Sequence, residues 1–270
     1  MRRVESDIYD HKYFSESDGA GYFFKNKLAP KFLEAVYLSG ATDYDCVLDL
    51  GCGRGDLLHA LAPTKARIVG LDYSRDALAI TQKGLSAADL NNNISVVNAD
   101  ATNLGFGDKK FDFVFMVDIV EHLYPEQLHS CFSECHRVLK DDGSLIIHTS
   151  PNKWYNDYGY PCWEQRINKI LNLLFRQNLM TRPIRTEMDR KVHVNEQTLR
   201  TLEESLTQAR FAPKIWLGKE YVVPVKKETA LMNILEVFRQ VVCHAFQLSL
   251  IPPLSYLFSN NIWAIATKKS

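Results

Sequence analysis

The chain has 270 residues, 46% of them hydrophobic and 24% charged, which suits one large folded domain with insertions. Its 32 basic and 32 acidic residues cancel, which argues against a generic nucleic-acid binder, since such proteins carry excess positive charge. Six cysteines with no C-x-x-C pair read as reduced thiols, and Met1–Asp7 has no apolar core of leader length; both point to a cytoplasmic protein.

Cys46–Leu50 is a short apolar run and reads as a first strand, with a helix expected from about Gly55 to Leu61. Arg67–Asp72 reads as the second strand, and Ser74 as the N-cap of a helix to about Ala88. Asn91–Asn93 is a turn cluster before a third strand at Ile94–Asn98. Phe111–Val117 is almost continuously apolar, as a central parallel strand should be. A helix over about Glu126–Leu139, a turn at Asp141–Gly143 and a fifth strand at Ser144–Thr149 follow. Pro151–Val192 is less regular, with an aromatic stretch at Trp154–Tyr160 and an amphipathic one at Ile167, Ile170, Leu171 and Leu174. A helix at Glu196–Ala209, a sixth strand near Lys214–Val223 and a last strand at Asn261–Thr267 complete the reading. Alternating strands and helices predict an α/β, doubly wound Rossmann-like sheet, mostly parallel.

The turn after the first strand is the most telling segment. In Asp49-Leu50-Gly51-Cys52-Gly53-Arg54-Gly55-Asp56 the glycines fall at every second position between a strand and a helix. Such a turn lets a nucleotide-like ligand touch backbone. A dinucleotide fingerprint, G-x-G-x-x-G, would need a third glycine at position 56, which is Asp56. Asp72, ending the second strand, can accept hydrogen bonds from two ribose hydroxyls.

The D-x-G-x-G-x-G pattern resembles motif I of class I S-adenosylmethionine (SAM)-dependent methyltransferases. The resemblance implies a seven-stranded sheet whose last strand inserts antiparallel between the fifth and sixth. It implies SAM as cofactor, held by Asp49, Gly51, Cys52, Gly53 and Gly55. Asp72 and Tyr73 would lie at the ribose, Asp100 and Ala101 at the adenine, and Asp118 and Ile119 beside the methionine moiety. The chain is expected to divide into an N-terminal lid, residues 1–39, and a methyltransferase domain, residues 40–270, with insertions at about 151–192 and 226–258. Tyr9 and Tyr13 resemble the Y-D-x-x-Y-F lid of small-molecule methyltransferases; a packed aromatic hairpin is the other reading.

Asp118-Ile119-Val120-Glu121-His122 followed by His193 resembles a segment of ubiquinone-biosynthesis and small-RNA O-methyltransferases. That resemblance implies a divalent metal such as Mg²⁺ at Asp118, Glu121, His122 and His193, activating an acceptor hydroxyl. Asp118 stands where those families usually have Glu. Glu121, His122 and His193 are also candidates for metal-free acid–base work, or for scaffolding alone. The expected function is methyl transfer to an oxygen of a small-molecule or lipid-linked acceptor. Transfer to nitrogen or carbon, and a catalytically silent SAM-binding subunit, are the alternatives. Apolar residues between Leu231 and Leu248 recur with helical spacing, consistent with a helix packed on the fold, a peripheral membrane contact or a homodimer interface.

Overall fold

The computed structural model describes residues 3–9, 13, 28–90, 92–175, 185–218 and 259–269. Its strands are β1 (Cys46–Leu50), β2 (Arg67–Asp72), β3 (Ile94–Asn98), β4 (Phe111–Val117), β5 (Leu139–Thr149), β6 (Phe211–Leu217) and β7 (Ile262–Lys268). Between and before them lie α1 (Pro30–Ser39), α2 (Asp56–Leu61), α3 (Arg75–Ala87) and α4 (Pro125–Val138). After β5 come a π-helical segment (Tyr155–Glu164), α5 (Gln165–Phe175), α6 (Glu187–Val192) and α7 (Leu199–Gln208).

The strands form one sheet in the order β3-β2-β1-β4-β5-β7-β6. The pairs among β1–β5 are parallel, while β7 runs antiparallel to both β5 and β6, as expected. Side chains alternate across a strand, and both faces are covered. Leu48, Val114, Met116, Leu145 and Ile147 pack into one core with Phe132 of α4 and Leu206 of α7. Val47, Phe115 and Ile146 pack into the other with Ala35 of α1, Leu57 of α2 and Leu85 of α3. Fully burying each large aliphatic or aromatic side chain is worth roughly 1.5–3 kcal/mol, so the double cover is the main stabilising feature of the sheet.

Three boundaries differ from expectation. The turn-like Asp141–Gly143 lies inside one long strand, because the pairing slips there: Phe111 faces Leu139 and Phe113 faces Ser144. The extra residues are absorbed as a bulge. α7 begins at Leu199, three residues late, because the Thr198 side chain accepts the Thr201 N–H and sets the helix start. β6 starts earlier than expected, at Phe211, paired with Lys268. The aromatic stretch of the first insertion is π-helical. The Leu231–Leu248 stripe and the end of the expected sixth strand lie outside the described residues. The five described cysteines are all free.

The strand order reverses between β1 and β4. In open α/β sheets a crevice forms at that point, outside the carboxyl ends of the strands. Gly51 follows β1 there and Asp118 follows β4.

Candidate active site

The glycine turn is built for close approach. Gly51, Gly53 and Gly55 have φ of 78°, 53° and 88°, in the left-handed region that glycine enters without strain. A Cβ on Gly51 would stand 2.6 Å from Ile119 Cδ1, across the crevice between β1 and β4. Behind the turn, Arg54 Nε pairs with Asp56 Oδ2 at 2.5 Å, both side chains buried. Thr81 Oγ1 of α3 donates to the Gly53 carbonyl at 2.7 Å.

Asp72 ties the turn to β2. Its Oδ2 accepts the Gly53 N–H at 2.9 Å and its Oδ1 accepts the Ser74 N–H at 2.8 Å. Burial raises its pKa, against the lowering effect of these backbone donors. A carboxylate offers about four acceptor sites, so capacity remains for a ligand's hydroxyls. Ser74 also caps α3, accepting the Ala77 N–H as expected. Asp100 Oδ1 is held by the Thr102 backbone N–H and hydroxyl.

A cavity runs along this edge. Its walls include Gly51, Gly53, Asp72, Tyr73, Asp100, Ala101, Asp118, Ile119 and His122, roofed by Arg3, Val4, Tyr9 and Tyr13. Asp49, Cys52 and Gly55 stand behind the turn rather than on the wall. Asp49 is 2% exposed, and its Oδ2 has no hydrogen-bond partner. Burial, with Asp72 and Asp56 nearby, pushes its carboxyl up to about 8. The N-terminal segment is pinned over the cavity: Ser74 Oγ donates to the Tyr9 carbonyl at 2.9 Å and the Tyr73 hydroxyl to the Val4 carbonyl at 3.3 Å.

His122 lines the cavity, and Glu121 and His193 stand beside it. One ligand atom from each lies within 4.8 Å of the others. The two imidazoles meet edge to face at 4.9 Å. α6 ends at Val192, which delivers His193, and the Asn195 N–H bonds the Glu121 carbonyl at 3.0 Å. Thr149 Oγ1 donates to Glu121 Oε2 at 2.7 Å, and the Tyr9 hydroxyl bonds His122 Nδ1 at 2.9 Å. Burial, with Asp118 close by, pushes Glu121 up to about 8. Burial and the neighbouring His193 hold His122 down at about 3, so its ring is neutral near pH 7.

Asp118, the fourth residue of the expected metal set, is not in this group. Its backbone is left-handed, with φ 56°. Oδ1 accepts from His148 Nδ1 at 2.6 Å and Oδ2 pairs with Lys31 of α1. Burial would raise its pKa, but Lys31 and then His148 hold it well below the usual carboxylate range. His148 is fully buried, and its Nε2 reaches Asn261 Oδ1 at 3.0 Å. Lys31, Thr149, His148 and Asn261 were not evident from the sequence, because no local pattern marks them; they meet only when α1, β5 and β7 close around the end of β4.

Residues 47–143 match a family model described as a methyltransferase domain. This stretch, from β1 into β5, is similar to a methyltransferase domain. A ubiquinone biosynthesis O-methyltransferase of Glaesserella parasuis is 32% identical over 106 residues, 38% of this chain and 44% of that protein. A chloroplastic 2-phytyl-1,4-beta-naphthoquinone methyltransferase of Arabidopsis thaliana is 36% identical over 122 residues, 42% of this chain and 44% of that protein. The chain thus spans less than half the length of these relatives. A solved SAM-dependent methyltransferase from Archaeoglobus fulgidus shares the fold at TM-score 0.56 and 20% identity, covering 96% of this chain and all of that one. The match ends before β5 is complete, so Thr149, His148, His193 and Asn261 lie outside the matched residues.

Proposed function

We propose that this chain transfers a methyl group from SAM to an oxygen of a small or amphipathic acceptor. The observation that carries the reading is one cavity whose wall runs from the glycine turn, Asp72 and Asp100 to His122. SAM fits the first half: the turn leaves no side-chain bulk, Asp72 offers acceptors for the ribose, and Asp49 presents an unsatisfied buried oxygen behind the turn. The second half would take the acceptor. The sulfonium is already activated, so the protein's work is alignment, exclusion of water and removal of the acceptor's proton. Tyr9, Tyr13 and Val4 exclude water. Glu121, ionised once a cationic ligand or metal lies beside it, would accept the proton; His122, held down at about 3, would serve as base only if binding raised it. The division into a lid at 1–39 and a methyltransferase domain at 40–270 is part of this proposal.

Glu121, His122 and His193 also suit a divalent metal, with one carboxylate and two neutral-capable imidazoles. Bound there, Mg²⁺ or a similar ion would lower the pKa of an acceptor hydroxyl. Thr149 and Tyr9 would orient two of the three ligands. The Tyr9–His122 hydrogen bond favours a second reading, in which the histidines only shape the pocket for an N- or C-methyl acceptor. The quinones in the relatives' names suggest a ring hydroxyl on an apolar body as the acceptor class.

Incubating the protein with methyl-labelled SAM and fractionated cell extract tests the reading. Label is expected in a small or lipid-soluble product, released by cleavage of an O-methyl bond. Chelator treatment with metal restoration separates the metal route from the metal-free one. Absence of labelled product across all fractions, with SAM bound, would favour the silent subunit.

A further inference from the structure

Among the described residues, α5 leaves an apolar face exposed. Ile167, Ile170, Leu173 and Leu174 are 49%, 56%, 81% and 66% exposed. At 100° per residue these four fall on one arc of about 120°. Isolated exposed hydrophobics are ordinary, but a contiguous row on one helix marks a contact surface. The charge pattern chooses the contact. From Gln165 to Ile184 the sequence holds four basic residues, Arg166, Lys169, Arg176 and Arg182, and no acidic one. The whole chain is neutral, so this is a local excess. Arg166 and Lys169 are exposed on α5 itself. An apolar stripe with Arg166 on it and Lys169 beside it, on a helix without carboxylates, is the composition of a helix that lies in the surface of an anionic bilayer. No helix among the described residues is long and apolar enough to cross a membrane, so the contact would be peripheral.

We infer that α5 docks this protein on an anionic lipid bilayer, with Ile170, Leu173 and Leu174 in the acyl boundary and Arg166 and Lys169 at the headgroups. The segment differs from the Leu231–Leu248 stripe. Its place gives the docking a use. The chain leaves β5 at the same strand edge that carries Gly51 and Asp118, then passes through the π-helical segment into α5. A bilayer at α5 would hold an amphipathic acceptor next to a segment that is joined directly to that edge. Only that use rests on the proposed methyl transfer; the docking does not.

The experiment is flotation of the full chain with vesicles of phosphatidylcholine alone and of phosphatidylcholine mixed with phosphatidylglycerol, without SAM or acceptor. The wild-type chain is expected to float with the mixed vesicles and not with the neutral ones, and to be released by added salt. Arg166→Gln with Lys169→Gln should weaken binding roughly tenfold or more. Leu173→Ser with Leu174→Ser should weaken it at least as much, at low salt as well. SAM calorimetry on each variant, which reads a cavity that α5 does not line, shows that the fold is kept. A failure of SAM to bind wild-type protein would strike the proposed function and leave the docking standing. Wild-type chain that does not float with the mixed vesicles overturns the inference. So does floating unchanged by either pair of substitutions, or equal binding to both vesicles. A concentration-dependent dimer that Leu173→Ser with Leu174→Ser abolishes, without vesicle binding, overturns it in favour of a second copy.

Discussion

Asp72 has two tasks at once. It holds the Gly53 and Ser74 N–H groups, and so joins the glycine turn to the start of α3. It also lines the cavity where a ribose would sit. Removing the carboxylate should therefore act twice. Asp72→Ala is expected to weaken SAM binding by roughly tenfold to a hundredfold, about 1.5–3 kcal/mol for hydrogen bonds to a charged group. It should also destabilise the ligand-free chain by on the order of 1–3 kcal/mol, because two buried N–H groups lose their partner. Isothermal calorimetry and urea unfolding read the two effects separately. Unchanged SAM affinity beside a clear loss of stability would leave Asp72 with the turn alone and remove it from the ribose. Asp118 differs at the same scale. Lys31 and His148 satisfy both its oxygens, so its own charge is spent on linking α1, β4 and β5.

Between elements, the first insertion is fastened by a cluster of charges. Arg185, just before α6, donates from Nε to Glu196 Oε1 at 2.8 Å and from a terminal nitrogen to Asp157 of the π-helical segment at 2.9 Å. Asn156 Nδ2 adds a bond to Glu196 Oε1 at 3.1 Å. Glu196 lies three residues after His193, so the clamp fixes the strip of chain that carries that imidazole. Arg185→Ala leaves Glu196, whose side chain is 8% exposed, without its cation. The expected cost is about 3 kcal/mol at most, felt locally. Limited proteolysis should open the 151–198 region faster, while SAM affinity, which depends on the other end of the cavity, stays within about twofold. Cleavage at the wild-type rate would show that the clamp is not what holds the insertion. The sequence disclosed the elements on either side of this insertion and much less of the insertion itself, for a physical reason. β1–β4 with their glycine turn and carboxylates are set by local apolar runs and short-range spacing, so Asp49–Gly55, Asp72 and Asp100 could be located in order. The clamp, the Lys31–Asp118–His148 link and the Tyr9–His122 bond join residues far apart in the chain. No local period encodes them. The bulge at Asp141–Gly143 misled for a related reason: turn-forming residues were accommodated inside a strand once β4 supplied the pairing.

For the whole molecule, the buried acids and histidines set a pH dependence whose sign follows from their shifts. Asp49 and Glu121 are each pushed up to about 8 in the folded, ligand-free chain, far above the usual carboxylate range. Folded protein therefore keeps two protons that unfolded protein has lost by neutral pH. Stability must fall as pH rises toward 8 and level off above it. His122, held down at about 3, works the other way: unfolded chain takes up a proton below about 6.5 that the folded ring refuses, so stability is lost as pH falls below that value. His59 and His136, lowered by burial, add to the same side. Asp118, held low by Lys31 and His148, loses its contribution only in stronger acid. Between about pH 4.5 and 6.5 the acids and the histidines therefore oppose one another, and between about 6.5 and 8 the raised acids act without the histidines. In that upper window stability should drop by up to about 4 kcal/mol, two protons over about 1.5 pH units at about 1.4 kcal/mol each. Urea midpoints at pH 6.5 and 8 measure it. Asp49→Asn with Glu121→Gln should flatten the slope while keeping the Thr149 hydroxyl bonded to residue 121. If the double variant keeps the wild-type slope, the protons reside elsewhere, and both the neutral Asp49 behind the glycine turn and the neutral Glu121 beside the histidines are wrong. A flattened slope would show that the folded chain carries two uncharged acids, one behind the glycine turn and one beside the histidines, each ready to ionise when a cationic ligand or metal arrives nearby.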